Sequence, residues 1–111
     1  GFTMKMKLIT KVIEKKAQKQ FPMGNDMNQM VVAKFFNPCG QGTWYLMNQD
    51  PNDPNYCWGI VKLFEVEVGS FGLDELKAFK GPFGLGIERD KFFTPRPAKE
   101  IYEALNRGQH V

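Results

Sequence analysis

Residues 57–95 read CWGIVKLFEVEVGSFGLDELKAFKGPFGLGIERDKFFTP. The first part of this stretch, together with Tyr56, predicts a strand over Tyr56–Phe64, because its nearly continuous apolar character is typical of a strand covered on both faces. Gly59 inside this strand indicates a bulge or a close approach of another backbone. The strict alternation of residues 65–68 predicts a fourth strand or an exposed extension of the third.

The second part of the stretch predicts a short helix and a corner. Gly72 is an acceptable N-cap, and the acids Asp74 and Glu75 suit the positive end of the helix dipole. Gly81-Pro82 ends this helix, and the glycine-spaced residues that follow have no helical period. Residues 88–93 are predicted to be extended, and a final helix with a one-sided apolar stripe is predicted over residues 98–106.

Upstream of this stretch, the sequence predicts one helix and two strands. Thr10 can cap a helix over residues 10–20, whose apolar residues recur at spacings of three and four: Ile9, Val12, Ile13, Ala17 and Phe21. Strands are predicted over residues 30–36 and 44–48, because proline- and glycine-rich turns follow each of them. We therefore predict an α+β fold. A small antiparallel sheet of three to five strands, a meander through residues 30–68, is expected to contact the N- and C-terminal helices, with the Leu73 helix at one edge.

The composition suits one small domain with a largely aromatic core. The chain has 111 residues, of which 42% are apolar and 14% aromatic. We expect a single domain over residues 4–108, with Gly1–Thr3 an addition from cloning ahead of Met4. There is no apolar run of about 18 residues and no signal-peptide pattern. We therefore expect no membrane span and a cytoplasmic protein.

Cys39 and Cys57 are predicted to be free thiols. The predicted hairpin places them at opposite ends of one strand, about 20 Å apart, whereas a disulfide requires Cα atoms within about 7 Å. Two cysteines and a single histidine do not make a structural zinc site without carboxylates. No cofactor is expected.

Three motifs resemble an uncharacterised bacterial family, number 2958 among the domains of unknown function. They are GSFGLDEL at residues 69–76, GPFGLGIERD at residues 81–90 and FTP at residues 93–95. The similarity extends from about Met6 to Tyr102, with Gly72 where the family tends to have serine and Gly86 where it tends to have proline. The resemblance implies an accessory product of plasmids or other mobile DNA, and it brings no catalytic residues with it.

Four acids, Glu65, Glu67, Glu88 and Asp90, are candidate ligands for a divalent cation, because hard cations bind several carboxylates at once. A divalent-metal-dependent enzyme is one alternative that this set leaves open. The other interpretation makes Glu65 and Glu67 the solvated face of an edge strand, with Arg89 pairing one of them through a bidentate bond. Arg89 would then lock the Ile-Glu-Arg-Asp corner to the sheet.

The positive charge of the chain is concentrated near its start. Residues 1–20 carry a net charge of +5, while the rest of the chain carries −2. Lys11, Lys15 and Lys19 form a ridge at i, i+4 spacing on the outer face of the predicted first helix. Such a ridge can follow a phosphate backbone, although solvated helix faces are often lysine-rich. Nucleic-acid binding is therefore a second alternative.

Four aromatic residues, Trp44, Tyr45, Tyr56 and Trp58, can form a stacking platform for bases or a peptide. In a small aromatic-rich domain such residues are more often part of the core. A contiguous apolar patch that stays exposed after folding would mark a partner surface. The sequence favours a small non-enzymatic binding or accessory protein of bacterial mobile DNA, with an unidentified protein as its partner.

Overall fold

The computed structural model describes residues 7–111, so the interpretation of Gly1–Thr3 and the domain start at Met4 lie outside the described residues. Within residues 7–111, the helices are α1 (Lys11–Lys19), α2 (Leu73–Ala78) and α3 (Ala98–Asn106). The strands are β1 (Met30–Val31), β2 (Ala33–Phe36), β3 (Thr43–Gln49), β4 (Tyr56–Lys62), β5 (Val66–Gly72), β6 (Glu88–Arg89) and β7 (Arg96–Pro97). Short 3-10 turns occur at Phe21–Met23 and Pro82–Gly84. The predicted α+β class is confirmed.

The main sheet is antiparallel throughout, with the strand order β5-β4-β3-β2-β6. Strands β2 to β5 form the predicted meander, in which each strand lies beside the next one along the chain. Strand β6 returns across the molecule and pairs with β2, where Phe36 faces Glu88 and Phe35 faces Arg89. The Ile-Glu-Arg-Asp corner therefore lies at the edge of the sheet opposite β5.

The sheet separates two apolar cores. The core under α1 and α2 contains Ala17, Phe35, Leu46, Cys57, Leu73 and Leu76. The core under α3 contains Val31, Tyr45, Met47, Ile60, Ile101 and Leu105. Consecutive residues of β3 alternate between the two cores, as expected for a strand covered on both faces. The N- and C-terminal helices thus cover opposite faces of the sheet.

Helix α1 begins where the sequence predicts it. The hydroxyl of Thr10 accepts a hydrogen bond from the Ile13 amide at 3.2 Å, which satisfies one of the free amides of the first turn. Ala17 is fully buried. Val12, expected on the apolar face, is instead 64% exposed. The reason is its position: at about 100° per residue it lies about 140° around the helix from Ala17.

The predicted single strand over residues 30–36 is divided at Val32. Val31 faces the α3 core, while Val32 and Ala33 both face the α1 core. Because neighbouring residues of a regular strand point to opposite faces, the chain must change direction here. Strand β1 leaves the main sheet and pairs with β7, where Met30 faces Pro97.

The third strand ends two residues earlier than predicted, at Lys62. Residues 63–65 form a turn in which the Leu63 amide donates to the Glu65 carbonyl at 3.1 Å. The alternating segment that follows belongs to the separate strand β5. Phe64, expected within the third strand, lies in this turn and is 90% exposed.

The sequence indicates a bulge or a close backbone approach at Gly59, and the structure has the close approach at Gly59 and a bulge opposite it on β3. The register between β3 and β4 shifts beside Gly59, and Met47 is the additional residue of a β-bulge. A Cβ atom at Gly59 would overlap the carbonyl oxygen of Tyr45 and lie 3.0 Å from its carbonyl carbon. Strand β3 can come this close only because residue 59 has no side chain.

Three buried amide side chains, Gln29, Asn48 and Gln49, lie at or beside the end of β3 and form two separate hydrogen-bond networks. The Asn48 side-chain amide donates to the Gln29 side-chain oxygen at 3.0 Å. The Gln49 amide donates to the Pro54 carbonyl at 2.6 Å, and the Gln49 side-chain oxygen accepts from the Gln18 amide at 3.1 Å. These bonds offset the cost of burying polar groups, and they tie α1 and two loops to the sheet.

Helices α2 and α3 lie where the sequence predicts them. Gly72 is the N-cap of α2, as predicted, and Leu73 and Leu76 are its buried residues. Helix α3 spans the predicted residues and buries Ile101 and Leu105. None of the helices within residues 7–111 combines the length and the apolar character that crossing a membrane requires.

Candidate functional site

The four candidate acids do not converge. Glu65 and Glu67 lie in the β4–β5 turn and on β5, whereas Glu88 and Asp90 lie on and just after β6 at the opposite edge. Four strand spacings of about 4.8 Å separate these edges, roughly 19 Å in all. Within residues 7–111, no group of three metal-binding side chains is close enough to hold an ion. The expectation that these four carboxylates share one cation is therefore wrong for this fold.

Arg89 binds backbone carbonyls rather than a carboxylate of the sheet. Its Nη1 atom donates to the carbonyl oxygen of Lys7 at 2.6 Å and to that of Leu8 at 3.3 Å. The predicted pair with Glu65 or Glu67 is excluded because those residues lie at the other edge of the sheet. Arg89 does connect the corner to another part of the chain, but that part is the segment before α1.

Asp90 stabilises the turn that follows β6. Its carboxylate accepts a hydrogen bond from the Phe92 amide at 2.9 Å, and its own amide donates to the Lys34 carbonyl at 2.9 Å. The Lys34 ammonium lies 3.8 Å from the Asp90 carboxylate. The extended segment predicted over residues 88–93 therefore ends at Arg89, because Asp90 turns the chain.

The segment around Val111 is held beside the same corner. The Val111 carbonyl oxygen accepts from the Lys34 ammonium at 2.7 Å and from the Tyr45 hydroxyl at 2.9 Å. Burial, and then the negative charge of Asp90, raise the pKa of Tyr45 to about 12. The hydroxyl therefore stays protonated, and remains a donor, at neutral pH.

An open cleft of about 260 Å³ lies between α1 and the corner. We call it the corner cleft. It is lined by Ile13, Lys16, Val32, Ala33, Arg89, Asp90, Lys91, Phe93 and Pro95. The sequence indicates Arg89 and Asp90 as candidate site residues, but it does not predict the cleft, because the walls of the cleft come from three segments that are far apart in the chain. Lys16 could have been predicted as a residue of this site, because it lies beside the apolar stripe of α1.

The four candidate aromatics do not form one platform. Trp44 contacts the core under α1 and α2, whereas Tyr45 and Trp58 contact the core under α3. Tyr56 is partly exposed at the start of β4. The expected stacking surface is thus divided between the two faces of the sheet, and the core interpretation holds for three of its members.

Several of the large exposed apolar side chains lie in turns at one end of the sheet. Residues 37–42, 63–65 and 81–86 lie at the end of the sheet where Phe36, Thr43 and Lys62 meet. A Cβ atom at Gly42 would lie 3.6 Å from the Leu63 side chain, and the Cys39 sulfur lies 3.9 Å from the Pro82 carbonyl oxygen. We call the exposed apolar residues of this end the apolar turn surface: Leu63, Phe64, Phe83 and Leu85.

Phe83 combines full exposure with an unfavourable backbone conformation. Its side chain is 97% exposed, and its φ of 62° lies in the left-handed region, which bulky residues rarely adopt. Such conformations cost on the order of 1–3 kcal/mol and cluster at functional sites. The sequence predicts a corner here, but not that it presents a phenylalanine to solvent.

The lysine ridge is exposed, as the sequence predicts. Lys11, Lys15 and Lys19 all lie on the solvent side of α1. The ion pairs formed within residues 7–111 join Lys34 to Asp90 and Arg96 to Glu100, so none of the three ridge lysines belongs to an ion pair there.

The two cysteines are free, as expected. Cys39 is exposed, while Cys57 is buried beneath α1 and α2. Burial raises the pKa of the Cys57 thiol to about 12, which keeps the nucleophilic thiolate form scarce at neutral pH.

Comparison with known sequences agrees with the resemblance of the three motifs. The sequence model of the family described as "Protein of unknown function (DUF2958)" matches residues 3–109. No curated protein and no solved structure matches the chain.

Proposed function

The chain belongs to the DUF2958 family of proteins of unknown function, and from this premise we propose that it is a small non-enzymatic accessory protein of bacterial mobile DNA that acts by binding another protein. The link to mobile DNA follows from what the family resemblance implies. A cytoplasmic location is supported by the two free cysteines, since reducing compartments keep thiols unpaired.

The observation that carries the proposal is the apolar turn surface. Phe64 and Phe83 project into solvent from two turns at the same end of the sheet, with the turn over residues 37–42 between them. Fully burying a phenylalanine side chain stabilises an assembly by about 1.5–3 kcal/mol, and phenylalanine is enriched at the centres of protein interfaces. The strained φ of Phe83 supports a role in binding, because the strain is not offset by burial within this chain.

The charges around this surface indicate the chemistry of the partner. Glu65 and Glu67 line the hollow beside Leu63 and Phe64, together with Val61. Acids in this position repel the phosphates of a nucleic acid or an anionic membrane. They favour a protein whose apolar pocket is bordered by lysine or arginine.

The test is a capture experiment with matched variants. Phe64→Ser and Phe83→Ser each remove one anchor, and Phe92→Ser is the control because Phe92 is 94% exposed but lies beyond Asp90, away from the three turns. We expect the wild type and Phe92→Ser to capture the same protein from a host that carries a family member. The two anchor variants should lose it, and affinity for the purified partner should fall about 10- to 100-fold.

Equal capture by all four proteins would contradict the proposal. Circular dichroism of each variant establishes that the fold is retained. Light scattering adds a second readout. If the wild type is a dimer and the anchor variants are monomers, a second copy of the chain is the occupant of this surface.

A second candidate function is binding to a nucleic-acid backbone, which the exposed lysine ridge favours. The variant Lys11→Gln/Lys15→Gln/Lys19→Gln removes three positive charges from α1. Its control, Lys77→Gln/Lys80→Gln/Lys99→Gln, removes three exposed lysines elsewhere. If the ridge contacts phosphates, duplex DNA affinity measured by anisotropy should fall steeply with salt, and the first variant alone should lower the slope of log K against log salt by up to about 3. Salt-independent or absent binding would exclude this function.

A further inference from the structure

The corner cleft has the charge pattern of an anion site. Three cationic residues line it, Lys16 from α1 and Arg89 and Lys91 from the corner, against the single acid Asp90. The Asp90 carboxylate has the Lys34 ammonium 3.8 Å away, so its charge is already partly balanced. The field within the cleft therefore attracts an anion.

Hydrogen bonds to the backbone hold the Arg89 side chain in place at the cleft. Its two hydrogen bonds to residues 7–111 both start from Nη1 and end on the carbonyls of Lys7 and Leu8. A guanidinium has five N–H donors in a fixed plane, and the same fork can bind two oxygens of a carboxylate or phosphate. The bonds to Lys7 and Leu8 restrict the side chain in advance, which lowers the entropic cost of binding a ligand.

The remaining walls of the cleft are apolar. Ile13 and Val32 come from the side of α1 and the sheet, and Phe93 and Pro95 come from the chain beyond the corner. Apolar walls with a few convergent polar groups are typical of small-molecule sites. The volume of about 260 Å³ equals that of roughly nine water molecules in the liquid, which is suitable for a single-ring organic acid.

We propose that the corner cleft binds a small organic anion, a carboxylate or phosphate carried on an apolar ring, with Arg89 gripping the anionic group, Lys16 and Lys91 adding charge, and Phe93 contacting the ring. This site is separate from the apolar turn surface, because the corner runs from Glu88 away from the end of the sheet where the turns lie. The proposal of an anion site in the corner cleft therefore holds whether or not the apolar turn surface binds a protein.

The experiment is an NMR titration of the full chain with four probes: benzoate, phenyl phosphate, inorganic phosphate and benzyl alcohol. We expect benzoate and phenyl phosphate to shift the amide signals of Ile13, Arg89 and Phe93 in a saturable manner. Inorganic phosphate should bind at least about fivefold more weakly because it lacks the ring, and benzyl alcohol should not bind because it lacks the charge.

Variants then test the residues. Lys16→Gln and Lys91→Gln should each weaken binding of phenyl phosphate by about three- to tenfold, since each removes one nearby charge. Lys15→Gln and Lys80→Gln are the matched controls, being exposed lysines outside the cleft, and should leave the affinity unchanged. All four lysines are on the surface, so these variants keep the fold.

Three results would overturn the proposal. The first is the absence of saturable shifts at the cleft with both ring-bearing anions. The second is equal weakening by the cleft variants and the control variants, and the third is binding of benzyl alcohol as tight as that of benzoate.

Discussion

The Nη1 atom of Arg89 lies 2.6 Å from the carbonyl oxygen of Lys7, although the two residues are 82 positions apart in the chain. Through this contact the most distinctive motif of the sequence fixes the segment that leads into α1. The neighbouring residue, Asp90, faces the lysine that binds Val111. The corner thus organises two segments that are far apart in sequence.

Replacing Arg89 with glutamine should destabilise the fold. Hydrogen bonds from a charged donor contribute about 1.5–3 kcal/mol, and a glutamine can replace at most part of them, so we expect a loss of about 1–3 kcal/mol in the free energy of unfolding. Urea titration followed by tryptophan fluorescence measures it. Arg107→Gln is the control, since Arg107 is exposed and its side chain donates only a long 3.4 Å bond to Gln109 among the described residues. Equal stability of the two variants would show that the Arg89 contacts contribute nothing.

The facing glycines of β4 and β5 should respond differently to alanine. Gly59 and Gly69 are partners across the two strands. A Cβ atom at Gly59 would overlap Tyr45, while one at Gly69 would meet nothing within 4 Å. We expect Gly59→Ala to lower the stability by about 3 kcal/mol or more, and Gly69→Ala to leave it unchanged or raise it by about 0.5–1 kcal/mol. Thermal unfolding of both variants gives the comparison, and similar melting temperatures would contradict the close approach at the bulge.

Alkaline pH should weaken the fold through Tyr45. The folded protein keeps this proton up to about pH 12, whereas the unfolded chain releases it near its ordinary pKa of 10.0. A group with a raised pKa in the folded state contributes stability that is complete below the unfolded pKa and is lost as pH rises toward the folded one. The loss is at most about 1.4 kcal/mol per pH unit.

Tyr45→Phe isolates this effect. The variant lacks both the bond to Val111 and the titration, so the stability difference between wild type and variant should shrink above about pH 10. Urea unfolding at a series of pH values measures it. A difference that stays constant from about pH 8 to about pH 11.5 would contradict the raised pKa of Tyr45.

Relieving the strain at Phe83 should separate stability from binding. Glycine adopts a positive φ without the steric cost that L-residues pay there, about 1–2 kcal/mol, and part of this gain is offset by the greater freedom of glycine in the unfolded chain. We expect Phe83→Gly to raise the free energy of unfolding by up to about 1 kcal/mol and to weaken partner binding. Phe92→Gly, with no strain to relieve, is the control and should not stabilise the protein.

The local features of the fold could be predicted from sequence because their causes are local. Thr10 caps α1 through a residue three positions away, Gly72 begins α2, and the apolar stripe of α3 defines its face. Gly59 belongs here too, since a glycine weakens the interior of a strand and is typical of a bulge or a close backbone approach.

The candidate site depends on contacts that the alternation of apolar and polar residues along a strand does not reveal. The pattern of a strand shows which face each residue occupies, but not which edge of the sheet the strand joins. Placing β6 beside β2 separates Glu88 from Glu65 and brings Arg89 to Lys7. The same limit applies to the buried amide side chains, because the partners of Gln49 lie on α1 and in the loop at Pro54, far from it in sequence.

The late position of β6 in the chain matters during synthesis. The ribosome releases the meander β2 to β5 first, so these four strands can pair while residues 88–89 are still to be made. Until then β2 is an open edge, and an open edge is a template for pairing with another chain. By pairing with Phe35 and Phe36, β6 covers part of that edge once residues 88–89 have been made. This pairing involves only two residues of strand, and it can form only after most of the chain has been made.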